Sequence, residues 1–287
     1  MKKISTIGFV CLFVFITNVS IWAQSEDDFQ VTLTADNKGV VIVKYKGTVR
    51  DVRIPATIQG IPVREIGYEA FLGELIGFTR VDKKLTSVVI PEGVTKIGIQ
   101  AFRASNSLIS VILPSTLTEI EGGAFADLPL LSSIKLPEGL KVIGGNAFSR
   151  CKSLKSIELP SSLIEIGSTA FEGSGLSSFP NPWPVGVTTI ARSMFENTNL
   201  TNVVIPEGIK IIYASAFAGC RYLTSITLPS SIEGIDTNAF ANSSLTTIEI
   251  PESVTKLKYG YGAFQYLSKL NLASQARLRT LNYTGSF

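Results

Sequence analysis

Two pairs of carboxylates are the side chains in this sequence whose types and spacing could support acid–base chemistry. Glu119 lies beside Glu121, and Glu138 is followed in the next repeat by Glu158. Paired carboxylates can hydrolyse a glycosidic bond, one as general acid and the other as base or nucleophile. Glu138, however, stands in a Pro-Glu-Gly turn pattern that recurs along the chain. We therefore expect these acids to be solvated turn residues.

The chain contains no histidine. This removes the commonest general base and the usual catalytic zinc ligand. The many serines have no imidazole to activate them, and no glycine-rich phosphate loop or dinucleotide fingerprint occurs. The turn at Asp36-Asn37 is too short for a calcium loop. The sequence predicts no catalytic residue, no metal site and no cofactor.

The elements that must position any functional residue follow a repeat of about 23 residues. A phenylalanine, usually preceded by alanine, recurs at this spacing after a first interval of 31, and a proline precedes most of them by eleven residues. Two coupled periods of this length indicate a solenoid whose turns contact only their neighbours. The phenylalanines are Phe71, Phe102, Phe125, Phe148, Phe171, Phe195, Phe217, Phe240 and Phe264.

Each repeat contains one recognisable strand. In 223–229, Ile226 and Leu228 alternate with Ser225 and Thr227, which predicts a short strand with one buried face, and Pro229 ends it. A second apolar pair and the Ala-Phe pair follow in every copy. We expect an α+β, mostly β solenoid of about nine repeats, stabilised by stacking of like side chains.

Cys151 and Cys220 each lie three residues after a repeating phenylalanine, in repeats three apart. At about 4.8 Å per layer their Cα atoms would be roughly 14 Å apart, whereas a disulfide requires about 7 Å or less. We expect both to be free, buried core residues.

The first 23 residues have the basic start, apolar centre and small residue at Ala23 of a secretory signal peptide. A membrane anchor is the alternative, but Thr17, Asn18 and Ser20 interrupt the apolar run. Cys11 lacks the surroundings of a lipidation site. No second apolar stretch long enough to span a membrane follows.

The mature chain divides into three parts. Residues 24–53 form a predicted N-terminal cap, with a β-hairpin from Phe29 to Tyr45 whose alternation places Val41 and Val43 on the face of Tyr45. Residues 54–264 form the repeat array, and 265–287 form a C-terminal cap with a short helix or closing turn between Leu270 and Leu281. Caps of this kind protect the ends of an open stack.

One repeat carries a full family signature. Leu131-Ser-Ser-Ile-Lys-Leu-Pro137 is followed by Leu140-Lys-Val-Ile143 and Ala147-Phe148-Ser-Arg-Cys151. This pattern resembles the BspA-like, or treponemal-type, leucine-rich repeats. The resemblance implies a curved leucine-rich-repeat solenoid on an exported, often surface-located protein. It also implies adhesion to host matrix proteins, host cells or other bacteria, and it supplies no catalytic residues.

The net charge of the chain and its distribution limit the classes of partner that the protein can bind. The chain has 26 Lys and Arg against 23 Asp and Glu, and removing Lys2 and Lys3 with the leader lowers the net charge from +3 to +1. No concentrated basic face is available for nucleic acid. Proteins are the expected partners. Glycans are the alternative, because a column of Ser and Thr hydroxyls follows the exposed strand face.

Six residues are candidate partner contacts. The eight extra residues of the first interval contain Ile76, Phe78 and Arg80, which either contact a partner or cover the junction with the cap. Val89 and Ile112 should be adjacent exposed aliphatics on neighbouring strands. Trp183, in a stretch with three prolines, is either a binding anchor or a core residue.

Two functional hypotheses remain. The chain is an exported, non-enzymatic adhesin-like protein at the cell surface or outside the cell, or it is a structural or assembly protein of the periplasm or cell envelope.

Along the exposed face, Lys135 and Glu158 lie one layer apart and can form a surface ion pair.

Overall fold

A computed structural model gives the fold and describes residues 24–76, 79–81, 84–253 and 271–281. The predicted leader, Phe78 and Phe264 lie outside the described residues. The first element is a 3-10 turn at Glu26–Asp28, and the last is a helix, α1, at Leu272–Thr280.

Between these two elements the described chain forms short strands. In chain order they are β1 (Phe29–Leu33), β2 (Val40–Tyr45), β3 (Asp51–Arg53), β4 (Thr57–Ile58), β5 (Ile61–Ile66), β6 (Glu74–Ile76), β7 (Thr79–Val81), β8 (Ser87–Val89), β9 (Lys96–Ile97), β10 (Ser110–Ile112), β11 (Glu119–Ile120), β12 (Val142–Ile143), β13 (Glu165–Ile166), β14 (Thr189–Ile190), β15 (Asn202–Val204), β16 (Ile211–Ile212), β17 (Ser225–Thr227), β18 (Gly234–Ile235) and β19 (Thr247–Glu249).

The strand predicted in each repeat forms the first of two parallel ladders. It runs through β3, β8 and β10, and resumes as β15, β17 and β19. The central residue of each strand is buried, for example Val88 and Ile226, while its two neighbours face outward, because successive side chains of a strand alternate between faces. The expected alternation at Ile226 is confirmed.

The second apolar pair of each repeat forms the other parallel ladder. It runs from β2 through β5, β9, β11, β12 and β13, and resumes as β14, β16 and β18. One isoleucine from each turn pairs with the next, as Ile97 does with Ile120 and Ile120 with Ile143. The break between β13 and β14 coincides with the proline-rich repeat, whose three prolines lie between these two strands.

The Ala-Phe pair forms the third connection between turns. The amide of Phe102 donates to the carbonyl of Ala124, and that of Phe125 donates to the carbonyl of Ala147, each at 2.9 Å. The rings stack on one another, with centroids 5.6 Å apart between Phe125 and Phe148. Every described phenylalanine of the repeat is fully buried and belongs to this column.

Both residues that flank this corner adopt left-handed backbone in the described repeats. Two residues before the phenylalanine stand Asn146 (φ 58°) and Thr169 (φ 59°), and two residues after it stand Asp127 (φ 58°) and Gly219 (φ 68°). Glycine, asparagine and aspartate tolerate this region, whereas a β-branched residue such as Thr169 adopts it at a cost in free energy. Glycine, asparagine and aspartate suit this corner best, although Gln100 (φ 57°) and Arg150 (φ 58°) occupy it in other turns.

The hairpin expected at the N-terminus is present, with β1 and β2 antiparallel. Tyr45 stacks on Phe71 at 5.2 Å and Phe29 lies 5.3 Å from Tyr45, so the hairpin extends the phenylalanine column by two rings. The expected alternation is wrong in part. Val40, Ile42 and Tyr45 are buried, whereas Val41 and Val43 are half-buried on the other face.

Helix α1 lies against the last strand of the first ladder. Asn271 caps it by accepting a hydrogen bond from the amide of Ser274 at 2.8 Å, a typical N-cap contact. Ser274 in turn bonds to Ile248 of β19, and Leu278 and Leu281 are buried. The helix therefore covers an edge of β19 that would otherwise be open.

Cys151 and Cys220 are free and buried, as expected. Each thiol donates to the carbonyl of the phenylalanine one turn back, Phe125 and Phe195 respectively, at 3.1 Å. Loss of solvent contact raises the pKa of Cys151 to about 12 and that of Cys220 to about 11. Both remain protonated at physiological pH.

Candidate functional site

The exposed face of the first ladder carries two aliphatic side chains side by side. Val89 of β8 pairs in register with Ile112 of β10, which confirms the expected adjacency. Ile112 is 57% exposed and Val89 is half-buried. Ile109, just before β10, is 53% exposed. Val89 and Ile112 form an apolar patch on a strand face that otherwise carries mostly hydroxyl and charged groups.

A cleft of about 630 Å³ opens beside Ile112. Leu136 and Pro137 from the next turn contribute its other apolar wall, and Lys135 and Glu138 stand at the same place. Within the described part of the chain neither Lys135 nor Glu138 has a hydrogen-bond or ion-pair partner, so the expected Lys135–Glu158 pair is wrong. The cleft thus combines apolar surface with two charges of opposite sign that are free to bind.

The other acid at this cleft, Glu92, is not free. Its carboxylate accepts hydrogen bonds from the amide and the hydroxyl of Ser115 in the next turn, at 3.0 and 2.9 Å. These two bonds hold the pKa of Glu92 below its ordinary value, because they favour the charged form. Glu207 binds the amide and hydroxyl of Ser230 in the same way, at 2.8 and 2.9 Å.

We name these two pairs, Glu92–Ser115 and Glu207–Ser230, the inter-turn clamps. They correct the expectation that acids of the Pro-Glu-Gly turns are solvated only. Glu138 occupies the same position in its own turn and is exposed without such a bond. It is therefore the one of these three turn acids that can reach a partner without breaking an internal contact.

The carboxylate pair Glu119 and Glu121 does not form an acid–base site. Lys96 lies 2.6 Å from Glu121 and 3.8 Å from Glu119, and the second oxygen of Glu121 accepts from the amide of Ile99 at 3.1 Å. The hydrogen bond that Lys96 donates to Glu121 is the main cause of the raised pKa of Lys96. Both acids thus connect neighbouring turns.

The insertion forms a hairpin that sequence reasoning did not anticipate. Strand β6 pairs antiparallel with β7, which places Ile76 opposite Thr79 and Leu75 opposite Arg80. Phe78, the third candidate contact in this segment, lies outside the described residues. This antiparallel pair differs from the parallel ladders of the regular turns.

Trp183 packs as a core residue on one side and lines a cleft on the other. Its ring stacks on Phe179 at 5.3 Å, and its Nε1 donates to the carbonyl of Val187 at 2.8 Å. Both aromatic rings are half-buried and pack against the core. Trp183 therefore packs against the core as one interpretation expected, and its function as a binding anchor stays a prediction.

A third cleft, of about 330 Å³, lies at the Ala-Phe corner where glycines replace side chains. Arg103 and Arg150 both stand there, and both bind Asp127, at 3.1 and 3.2 Å. Arg150 also lies 3.7 Å from Glu172. These charges neutralise one another, so this cleft has little to attract a charged ligand.

The described residues were also compared with the requirements of a metal site and of a membrane-spanning helix. They contain no group of three or more His, Cys, Asp or Glu side chains placed to hold a metal ion. They also contain no helix with the length and apolarity needed to cross a membrane.

Comparison with solved structures finds the same architecture. The leucine-rich repeat protein TpLRR of T. pallidum is 29% identical, covers 93% of this chain and 99% of its own, and superposes with a TM-score of 0.56. A leucine-rich repeat protein of Bacteroides ovatus is 21% identical over 85% of this chain and 80% of its own, with a TM-score of 0.45. The pneumococcal vaccine antigen PcpA is 22% identical over 77% and 75%, with a TM-score of 0.46.

No match was found in a comparison with curated protein sequences. The model of the BspA type leucine rich repeat region, in six copies, matches residues 78–185 and 188–284. These segments contain most of both parallel ladders and most of the phenylalanine column, and they cover more than half of the chain. The chain belongs to the family of BspA-type leucine-rich repeat proteins.

Proposed function

We propose that this chain is an exported, non-enzymatic protein-binding module of the cell surface. The observation that carries the proposal is the exposed Ile112 paired with the half-buried Val89, beside a cleft with the free charges of Lys135 and Glu138. An apolar centre with charges at its edge is the usual composition of a protein interface. Leucine-rich repeat proteins typically serve protein interaction, which supports the same conclusion.

The contact surface is the cleft together with the apolar patch, and the hairpin β6–β7 extends it. β8 directly follows the hairpin along the chain, so the two surfaces belong to the same end of the array. Ile112 is the expected anchor because it is the most exposed of the three aliphatic residues. Lys135 and Glu138 set the orientation of the partner, since a charge at an interface discriminates more than it stabilises.

Export rests on the leader pattern of residues 1–23 and on the resemblance to surface proteins. Protease treatment of intact cells of the producing organism tests it, with peptides 195–240 detected by mass spectrometry. Release from unlysed cells supports surface exposure. Release only after lysis, together with a periplasmic control protein, would instead favour the envelope-assembly function.

Binding is tested separately with purified protein on immobilised extracellular-matrix proteins and on host cells. We expect Ile112→Lys to lose binding by about a hundredfold, which is the effect of removing an interface hot spot. Glu158→Lys, on the same face but outside the cleft, is the matched control and should bind as the parent does. Equal binding by both variants would reject this surface.

A further inference from the structure

The proline-rich repeat opens a second cleft, of about 360 Å³, three turns along the stack from Ile112. Pockets that bind small molecules begin at about 300 Å³. Its apolar wall is the stacked pair Phe179 and Trp183, whose planes lie within 16° of each other. Because the indole N–H is bonded to Val187, the ring is held in one orientation.

The remainder of the cleft is uncharged and combines polar side chains with the apolar residues Pro180, Val204 and Pro206. Asn181, Ser178, Thr201 and Asn202 line it, and all four are exposed. The Oδ1 atom of Asn202 accepts from the hydroxyl of Ser225 at 2.7 Å, so the amide is fixed in place. Its Nδ2 has no partner among the described residues. No charged side chain of the described chain lines this cleft.

This combination selects the chemistry of the ligand. A flat aromatic surface favours a flat apolar face, and fixed amides with hydroxyls favour a ligand rich in hydroxyl groups at its edge. A charged ligand would lose hydration here without gaining a counter-charge. A neutral pyranose ring with equatorial hydroxyls meets both requirements, because its faces present C–H groups and its edge presents the hydroxyls.

We propose that this cleft binds a neutral oligosaccharide. One sugar ring stacks on Trp183, whose ring packs on Phe179, and its hydroxyls accept from Asn202 and exchange hydrogen bonds with Asn181. Pro180, Pro182 and Pro184 restrict the backbone of this wall. The wall is therefore ordered before the ligand arrives, which lowers the entropy cost of binding.

A proline-rich peptide is the competing ligand, since aromatic grooves also bind such segments. A peptide in polyproline II conformation spans several residues and docks in a series of aromatic grooves. The cleft offers a single stacked pair enclosed by amides and hydroxyls, which suits one sugar ring better. The peptide is retained as an outcome of the test.

Tryptophan fluorescence gives a direct measurement. The sequence contains two tryptophans, Trp22 and Trp183, so the full chain carrying Trp22→Phe reports on Trp183 alone. Cello-, chito-, malto- and mannohexaose are titrated to about 10 mM, which covers the weak range of single-site affinities. We expect a saturable change of emission with at least one of them. No change with any of the four would overturn the proposal.

A pair of variants then locates the site. Asn202→Asp keeps the oxygen that binds Ser225 but removes the free N–H donor, and it should weaken sugar binding by about tenfold, the effect of one lost hydrogen bond. Ser133→Asp places the same charge at the equivalent exposed position three turns away and should bind normally. Equal affinities for the two variants would overturn the assignment, as would a decaproline peptide that gives the same change and competes with the sugar.

Discussion

Ser274 of the terminal helix hydrogen-bonds both backbone groups of Ile248, accepting from its amide at 3.0 Å and donating to its carbonyl at 3.3 Å. A side chain thus takes the place that the next strand of the ladder would occupy. Both backbone groups of Ile248 are satisfied without another strand, which protects this position on the edge of β19 from pairing with a second chain.

Replacing Ser274 by alanine should leave the amide and carbonyl of Ile248 buried without partners. We expect a loss of about 1 to 3 kcal/mol in the free energy of unfolding, the usual cost of an unsatisfied buried group. Urea denaturation measures it, and Ser161→Ala, at an exposed serine, is the control. An unchanged midpoint for Ser274→Ala would show that the helix does not stabilise this edge.

The phenylalanine column predicts a dependence on position. Phe148 stacks on Phe125 and on Phe171, at 5.6 and 5.8 Å, whereas Phe29 at the end of the column lies 5.3 Å from Tyr45. Phe148→Ala should cost about 3 to 5 kcal/mol, the typical penalty for a buried aromatic, and Phe29→Ala should cost less. Equal losses in the two unfolding curves would contradict a stack stabilised by nearest neighbours.

Replacement of Thr169 should increase the stability of the fold. It is β-branched and has a φ of 59°, while Asn146 holds the equivalent position one turn earlier at 58°. Because asparagine tolerates left-handed backbone better, Thr169→Asn should raise the unfolding free energy by about 1 kcal/mol. The reverse exchange, Asn146→Thr, should lower it by a similar amount. Thermal denaturation measures both variants. Midpoints that shift in opposite directions would support this prediction, and midpoints that shift in the same direction would contradict it.

The inter-turn clamps predict how stability depends on pH. The pKa of Glu92 and of Glu207 is lowered in the folded chain by bonds from the serine of the next turn, so these groups stabilise the fold above the ordinary glutamate value of 4.5. That contribution is lost as the pH falls through the lowered pKa. The double variant Glu92→Gln, Glu207→Gln should therefore show a shallower fall in urea midpoint between neutral pH and about pH 3.

Glu138→Gln is the control for this pH dependence. It stands in the same turn pattern but has no clamp, so its curve should follow that of the parent. A curve as shallow as that of the double variant would mean that the general charge balance, and not the clamps, sets the dependence.

Thiol chemistry tests both the core and the leader. Burial raises the pKa of Cys151 to about 12 and that of Cys220 to about 11, so neither should react with an aromatic disulfide reagent in the folded protein at neutral pH. In denaturant both should react. The sequence has three cysteines, and Cys11 lies in the predicted leader, so protein from the producing organism should show two reactive thiols after leader removal and three before it. Reaction in the folded state would contradict the buried positions.

The period of the phenylalanines predicted the stack correctly because a side chain repeated at fixed spacing must meet its own copies. The alternation within β2 was assigned to the wrong face at Val41 and Val43. Val40, Val41, Ile42 and Val43 are all apolar, so the sequence contains no polar residue to mark the outer face there. The structure also shows a register shift opposite β2, between Gln30 and Val31. Strict alternation along β2 therefore does not predict which side chains are buried.

The clamps were missed although the sequence contains a signal for them. Glu92 and Glu207 each precede a serine by 23 residues, the length of one turn. The signal is insufficient alone, since Glu138 precedes Ser161 by the same interval and forms no such bond. The cleft at Trp183 was missed for another reason, because its amide wall comes from Asn202 in the following turn, where the interrupted repeat makes spacing a poor guide.

The two unbridged cysteines give the described array a mechanical property. No disulfide within the described residues cross-links one turn to another, so a pull on its two ends can detach turns one at a time. A released turn of 23 residues lengthens the chain by roughly 75 Å at full extension. A molecule of this kind, fixed to a surface at one end and loaded at the other, would yield in steps under flow and would re-form its stack when the load falls.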